Sequence, residues 1–196
     1  MKFLLLLEKL RKEYETSTQL TENGVALLGA QNSPPLLAEH YVYPPMTERV
    51  IQHLINSYKR TIPKELLTLY RAANGMDLFW VNGYFSNGYN FPFCKLSIYG
   101  IPVGMFLQPY DISVEDLSRP DGTPDHYLKF GSYKTVEDST CTAQYQLFVD
   151  TETSTVCSSN RKSKEYIEEE HWDSIDACLC DLFSRNRTGD GLREPS

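Results

Sequence analysis

Between Ile62 and Gly75 the chain carries a helix with both of its ends marked by residue type. Pro63 suits the first helical position, where a missing N–H costs nothing and a φ fixed at about −65° is already helical. Leu66, Leu67, Leu69 and Tyr70 continue an apolar stripe on one face. Asn74-Gly75 then supplies the residues that best tolerate a left-handed stop. A helix this short is marginal in water, so its stripe has to be buried against other parts of the chain.

Those parts can be read on either side. Thr47 is an N-cap candidate for a helix that puts Val50, Ile51, Leu54, Ile55 and Tyr58 on one face and ends near Arg60. An earlier helix is expected over residues 2–15, from the spacing of Leu4, Leu5, Leu7, Leu10 and Tyr14. The stretch Gly24–Pro45, rich in glycine and proline, reads as an irregular, partly extended connection whose apolar residues pack on the domain. After Gly75 the signal changes to strands over Met76–Val81, Leu96–Tyr99 and Tyr127–Phe130. A hairpin joins Tyr145–Val149 to Thr153–Cys157 through Asp150-Thr151-Glu152. Tyr110–Asp125, with five acidic residues and Pro120, Gly122 and Pro124, reads as an exposed coil. The last helix, about Trp172–Phe183, turns Trp172, Ile175, Leu179, Leu182 and Phe183 inward.

The expected class is therefore α+β: N-terminal helices, a central, mostly antiparallel β-sheet with a C-terminal hairpin, and a closing C-terminal helix. Residues 1–185 read as one domain, with 1–45 as an N-terminal extension and 186–196 as a disordered tail. A composition 41% apolar and 12% aromatic can fill such a core without metal or disulfide.

The five cysteines form an odd set and are expected to be free thiols. A hairpin turn centred on Thr151 and Glu152 would set Cys157 opposite about Gln146, which leaves Cys141 roughly 17 Å along the strand and out of bridging range. Leu4–Leu7 imitate a secretory signal, but the apolar run stops at Glu8 and Lys9. With no stretch that could cross a membrane, the expected location is the cytoplasm.

The net charge of −7 is uneven. Residues 1–110 total +2, residues 111–181 total −10, and the remainder adds +1. An acidic second half disfavours nucleic acid and anionic membranes as partners and favours a basic protein. No phosphate-binding, dinucleotide-binding, hydrolase-elbow or zinc-protease motif is present, and the expected role is not that of an enzyme. His40, His53, His126 and His171 are scattered, and Cys178 and Cys180 point to different sides of a helix, so no metal or other cofactor is expected. A cysteine nucleophile served by one of the histidines stays open on sequence alone, although buried free thiols are the commoner arrangement. Glu168-Glu169-Glu170 fits the dipole at the start of the last helix.

The segment Ile62-Pro63-Lys64-Glu65-Leu66-Leu67-Thr68-Leu69-Tyr70-Arg71-Ala72-Ala73-Asn74-Gly75 resembles the signature of the SUKH superfamily, the Smi/Knr-type proteins. Strands after the Asn-Gly, a hairpin turn at Asp150 and a terminal helix with Ile175 and Phe183 agree with it over residues 46–185. Where that family commonly has a glycine-rich strand entry, this chain has the bulky Met76-Asp77-Leu78-Phe79-Trp80. The resemblance implies an immunity protein that covers a cognate bacterial toxin, of nuclease type, or else a regulatory or scaffolding protein-binding module. The expected toxin-binding residues are acidic ones with an aromatic among them: Asp111, Glu115, Asp116, Asp121, Asp125, Tyr133, Glu137, Asp138 and Glu152. Carboxylates steer a basic partner and aromatic rings anchor it. The chain is expected to act as a monomer or weak homodimer.

Overall fold

The computed structural model describes residues 1–30, 38–58, 61–85, 90–102, 108–137 and 140–188. The chain opens with α1 (Lys2–Glu13) and three short strands, β1 (Gln19–Leu20), β2 (Ala26–Leu28) and β3 (His40–Val42). Helices α2 (Glu48–Ser57) and α3 (Lys64–Ala72) follow, then strands β4 (Met76–Phe85) and β5 (Asn90–Ile98). Helix α4 (Ile112–Leu117) precedes β6 (Tyr127–Glu137), β7 (Thr140–Asp150) and β8 (Val156–Asn160), and β9 (His171–Trp172) leads into α5 (Ile175–Thr188). This is the α+β order expected from the sequence.

One anticipated cap is made: Thr47 accepts a hydrogen bond from the Val50 N–H at 3.4 Å and starts α2. The ends of α3 differ from expectation, because Pro63 is its N-cap rather than its first residue and the helix stops at Ala72, followed by an extended Ala73. The left-handed residue comes later, at Gly75, with a φ of 86° and a Cβ position that would stand 2.6 Å from the Ile98 carbonyl oxygen. Beside it, Asn74 donates to the Ile101 carbonyl at 2.6 Å and accepts from the Ile101 N–H at 2.8 Å. The Asn-Gly pair thus fastens the exit of α3 to the end of β5. Helices α1 and α5 run side by side in the same direction. Asp176 accepts from the Lys2 and Phe3 N–H groups at one end, and Arg187 pairs with Glu13 at 2.6 Å at the other.

The nine strands form one sheet in sequence order, every neighbouring pair antiparallel. One extra, parallel contact sets Tyr84 opposite Thr140 and Phe85 opposite Cys141, bringing the far end of β4 to β7. The helices bury Phe3, Leu7, Ile51, Leu66, Tyr70, Leu179 and Phe183 against Leu78, Leu96, Phe130, Leu147 and Val156 of one sheet face. Successive strand residues point to opposite faces, so the neighbours Leu27, Tyr41 and Tyr43 build a second, smaller cluster with Val25 and Ala38 on the other face.

Alternation breaks once in β4. Phe79 has a φ of 60°, which turns its ring to the same side as Leu78 and sends Trp80 to the second face, edge-on to Tyr41. A bulky residue held there costs on the order of 1–2 kcal/mol. The Phe79 N–H donates to His40 Nδ1 at 3.0 Å, and the His40 ring packs against Phe79 and Tyr14.

Several expectations need correction. The supposed coil Tyr110–Asp125 contains α4, capped by the Asp111 carboxylate, which accepts from the Ser113 N–H at 2.9 Å. The extended parts of residues 24–45 are β2 and β3, which join the sheet as strands rather than only packing on it. Strand β6 does not end at Gly131 but passes through it to Glu137. The last helix starts at Ile175 and runs to Thr188, so Trp172 lies in β9 and residues 186–188 are helical, not part of a disordered tail. Residues 189–196 lie outside the described part. In the hairpin Cys157 faces Phe148, two residues from the expected partner. All five cysteines are free.

Candidate functional site

The second face of the sheet holds an unusual row. Asp77 lies opposite Ser97, Ser97 opposite Ser132, Ser132 opposite Gln146 and Gln146 opposite Ser159, so five adjacent strands each contribute a polar side chain to one line. All five residues are buried. At the β4 end, the Asp77 carboxylate accepts from Ser97 Oγ at 2.7 Å, from Tyr43 Oη at 2.8 Å and from Cys94 Sγ at 3.7 Å. Burial drives the Asp77 carboxyl pKa upward against these hydrogen bonds and the nearby Lys134 charge. The Cys94 thiol is pushed up to about 12, first by burial and next by Asp77. It stays protonated near neutral pH and is not poised as a thiolate nucleophile.

Along this row opens a cavity of about 360 Å³. Trp80, Phe93, Tyr99 and Tyr110 supply its aromatic walls, and Ser97, Ser132 and Gln144 its neutral polar groups. Its charges are Lys134, Arg161 and Glu115. The kink at Phe79 is what delivers Trp80 here. Lys134 Nζ donates to the Cys94 carbonyl at 3.0 Å and lies over the Phe93 ring, 5.6 Å from its centre. Glu115, reaching in from α4, pairs with the buried Lys129 at 3.0 Å. Arg161 is exposed, and no carboxylate pairs with it among the described residues. Sequence reading missed Asp77, Trp80, Phe93, Lys134 and Arg161. Their signal, polar residues repeating at inward positions of consecutive strands, is visible only once the register is known.

The expected toxin-binding residues divide. The loop after α4 is held to the loop before β9, since the Asp121 N–H donates to the Lys164 carbonyl at 2.8 Å and the Tyr166 N–H to the Asp121 carbonyl at 2.8 Å. The Thr151 N–H donates to the His126 carbonyl at 2.9 Å, which ties the β7–β8 turn to the same loop. These bonds bring the segments that carry Asp121, Asp125, Glu152 and Glu165 together at one end of the sheet, all four exposed. Asp150 anchors the turn by accepting from the Glu152 and Thr153 N–H groups at 2.8 and 3.2 Å. Burial opposes its ionisation, but those bonds and His126 outweigh it, and its pKa is lowered.

Asp111 and Glu115 are occupied in α4, as its cap and as the partner of Lys129, and Asp116 is a residue of the same helix. Tyr133 is a core residue, 4% exposed and stacked on Tyr145 at 4.8 Å, so it offers no ring to a partner. Glu137 ends β6, and Asp138 lies outside the described residues. Glu168–Glu170 sit too far ahead of Ile175 to serve the dipole of α5, whose first turn carries Asp176 instead. Among the described residues no cluster could hold a metal ion, and no helix is long and apolar enough to cross a membrane. No protein-family model, curated protein or solved structure matches the chain.

Proposed function

We propose that this chain is an immunity protein, which binds a basic, nuclease-type toxin and neutralises it by covering its substrate groove. The observation that carries the reading is the acidic end, where three chain segments tied by backbone hydrogen bonds expose Asp121, Asp125, Glu152 and Glu165 together. A rigid array of carboxylates attracts a basic surface before contact and raises the association rate. The resemblance of Ile62–Gly75 to the SUKH signature adds the second support. An interface of about 1,200–2,000 Å² is the size such a complex needs.

Co-expression with the product of the adjacent upstream gene is the test. Rescue of growth and recovery of a stable complex are expected. Reversing Asp121, Glu152 and Glu165 to lysine should then slow association about tenfold or more at low salt, with the difference shrinking as salt is added. A neighbour that is harmless or does not bind would refute toxin neutralisation, and an unchanged association rate would remove the acidic end from the interface.

A further inference from the structure

The cavity beside the polar row is separate from the acidic end and asks for a different kind of ligand. Its volume of about 360 Å³ suits a compact small molecule, on the order of 10 to 25 non-hydrogen atoms. Four aromatic side chains, Trp80, Phe93, Tyr99 and Tyr110, present flat apolar surface to it, which favours a planar body. The Trp80 indole Nε1–H is buried and has no acceptor among the described residues.

The charges select the sign of the ligand. Lys129 and Glu115 neutralise each other at 3.0 Å. Asp77 lies buried behind Ser97 and Cys94, where its carboxyl, bonded by Ser97, Tyr43 and Cys94, offsets part of the Lys134 charge. That leaves Lys134, partly engaged by the Cys94 carbonyl, and Arg161, exposed on the cavity lining. Two cations on one small cavity, in a chain whose net charge is −7, form a local positive site against an acidic background. Field lines focused by low-dielectric aromatic walls strengthen it.

We propose that this cavity binds a small planar molecule carrying one anionic group, its ring lying among Trp80, Phe93, Tyr99 and Tyr110 and its carboxylate or phosphate meeting Lys134 and Arg161. The serine and glutamine groups on the floor give the polar edge of such a ligand hydrogen bonds. A nucleoside monophosphate and an aromatic carboxylate share this chemistry. The site does not depend on the toxin-binding reading.

Calorimetric titration of the full chain with adenosine 5′-monophosphate and with 2-naphthoate separates the two sources, with adenosine and 2-naphthamide as uncharged controls. One of the anions should bind with 1:1 stoichiometry and a dissociation constant on the order of 10–1,000 μM, and its uncharged control at least about tenfold more weakly. Arg161→Met should weaken binding of that anion by about tenfold with the thermal midpoint unchanged, since Arg161 is exposed. Preference for the phosphate assigns a nucleotide-like ligand, and preference for the naphthoate a carboxylate. Absence of 1:1 binding by both anions at millimolar concentration, equal binding of anion and uncharged control, or wild-type affinity in Arg161→Met would each overturn the proposal.

Discussion

His40 should make the protein lose stability on mild acidification in a way that one substitution abolishes. The imidazole is 2% exposed, with Nδ1 accepting from the Phe79 N–H and its ring wedged between Tyr14 and Phe79. Burial, and secondarily the Arg187 charge, lowers its pKa from 6.5 to about 4. Between those two values the unfolded chain binds a proton at this residue and the folded chain does not. Stability contributed by His40 is therefore complete above the unfolded value and drains away as pH falls toward the folded one. At about pH 5 the loss, set mainly by the unfolded value, comes to about 2 kcal/mol.

Urea unfolding at about pH 8 and about pH 5, run on the wild type and on His40→Asn, isolates that quantity. Asparagine Oδ1 can replace Nδ1 as acceptor but cannot take up a proton. Its loss of ring packing lowers stability equally at both pH values and drops out of the comparison. Asp77, whose raised pKa works with the opposite sign because its protonated form is favoured on folding, is present in both proteins and also cancels. The wild type should lose about 2 kcal/mol more than the variant on acidification. Equal losses, or a His40 resonance that titrates near 6.5 in the folded protein, would refute the reasoning.

Phe183→Ala should destabilise by about 3–5 kcal/mol in a urea melt, because the ring is buried and meets Phe3 and Phe79 edge-on at 5.9 and 5.2 Å. A cost under about 1 kcal/mol would mean the α1–α5 contact is not core. Gly100→Ala should cost more than Gly122→Ala, for opposing reasons that a thermal melt can rank. A Cβ at Gly100 would stand 2.3 Å from the Asn74 carbonyl oxygen, whereas Gly122 has a φ of 79° but open space around it. Crowding against backbone should cost about 1–3 kcal/mol and the left-handed φ about 1 kcal/mol.

Helix α3 was legible because a proline precedes it and an Asn-Gly pair follows it, although the helix itself stops at Ala72 and the Asn74 side chain finds its partner far along the chain, at Ile101. The β7–β8 hairpin was legible as a pair but not in register, since its turn is wider than the three residues first assigned. Asp150 binds the Glu152 and Thr153 N–H groups, and Ser154 takes a φ of 66° before the Asp150 N–H meets the Thr155 carbonyl. Helix α4 hid inside a loop because its proline and glycine signals, Pro120, Gly122 and Pro124, lie after it and say nothing about Ile112–Leu117. Strands β1, β2 and β3 are two or three residues long, too short for any periodicity to declare them. Of the acidic residues chosen from composition, Asp121, Asp125 and Glu152 converge, but through backbone bonds between segments about 25 to 45 residues apart, which no local pattern encodes.

The polar row is the part of the fold that stability alone does not explain. An apolar side chain buried at each of its positions would contribute about 1.5–3 kcal/mol, whereas a buried hydrogen bond nets about 1 kcal/mol. Five adjacent strands nevertheless carry Asp77, Ser97, Ser132, Gln146 and Ser159 in register. Ser97 and Ser132 line the cavity, and so do Lys134 and Gln144, which pair with each other two residues further along β6 and β7. Cavity and row are thus one construction, a polar floor two residues deep. The strained Phe79 belongs to it as well, because a regular strand would put Trp80 on the helical side, under the core, and leave the cavity without its indole wall. Backbone strain and a forgone apolar layer both fall beside the same 360 Å³, while the opposite face of the same strands carries the larger apolar core. Where a sheet departs from its own rules in this way, the departure is the place to look for a ligand, and titration of the cavity is what decides it.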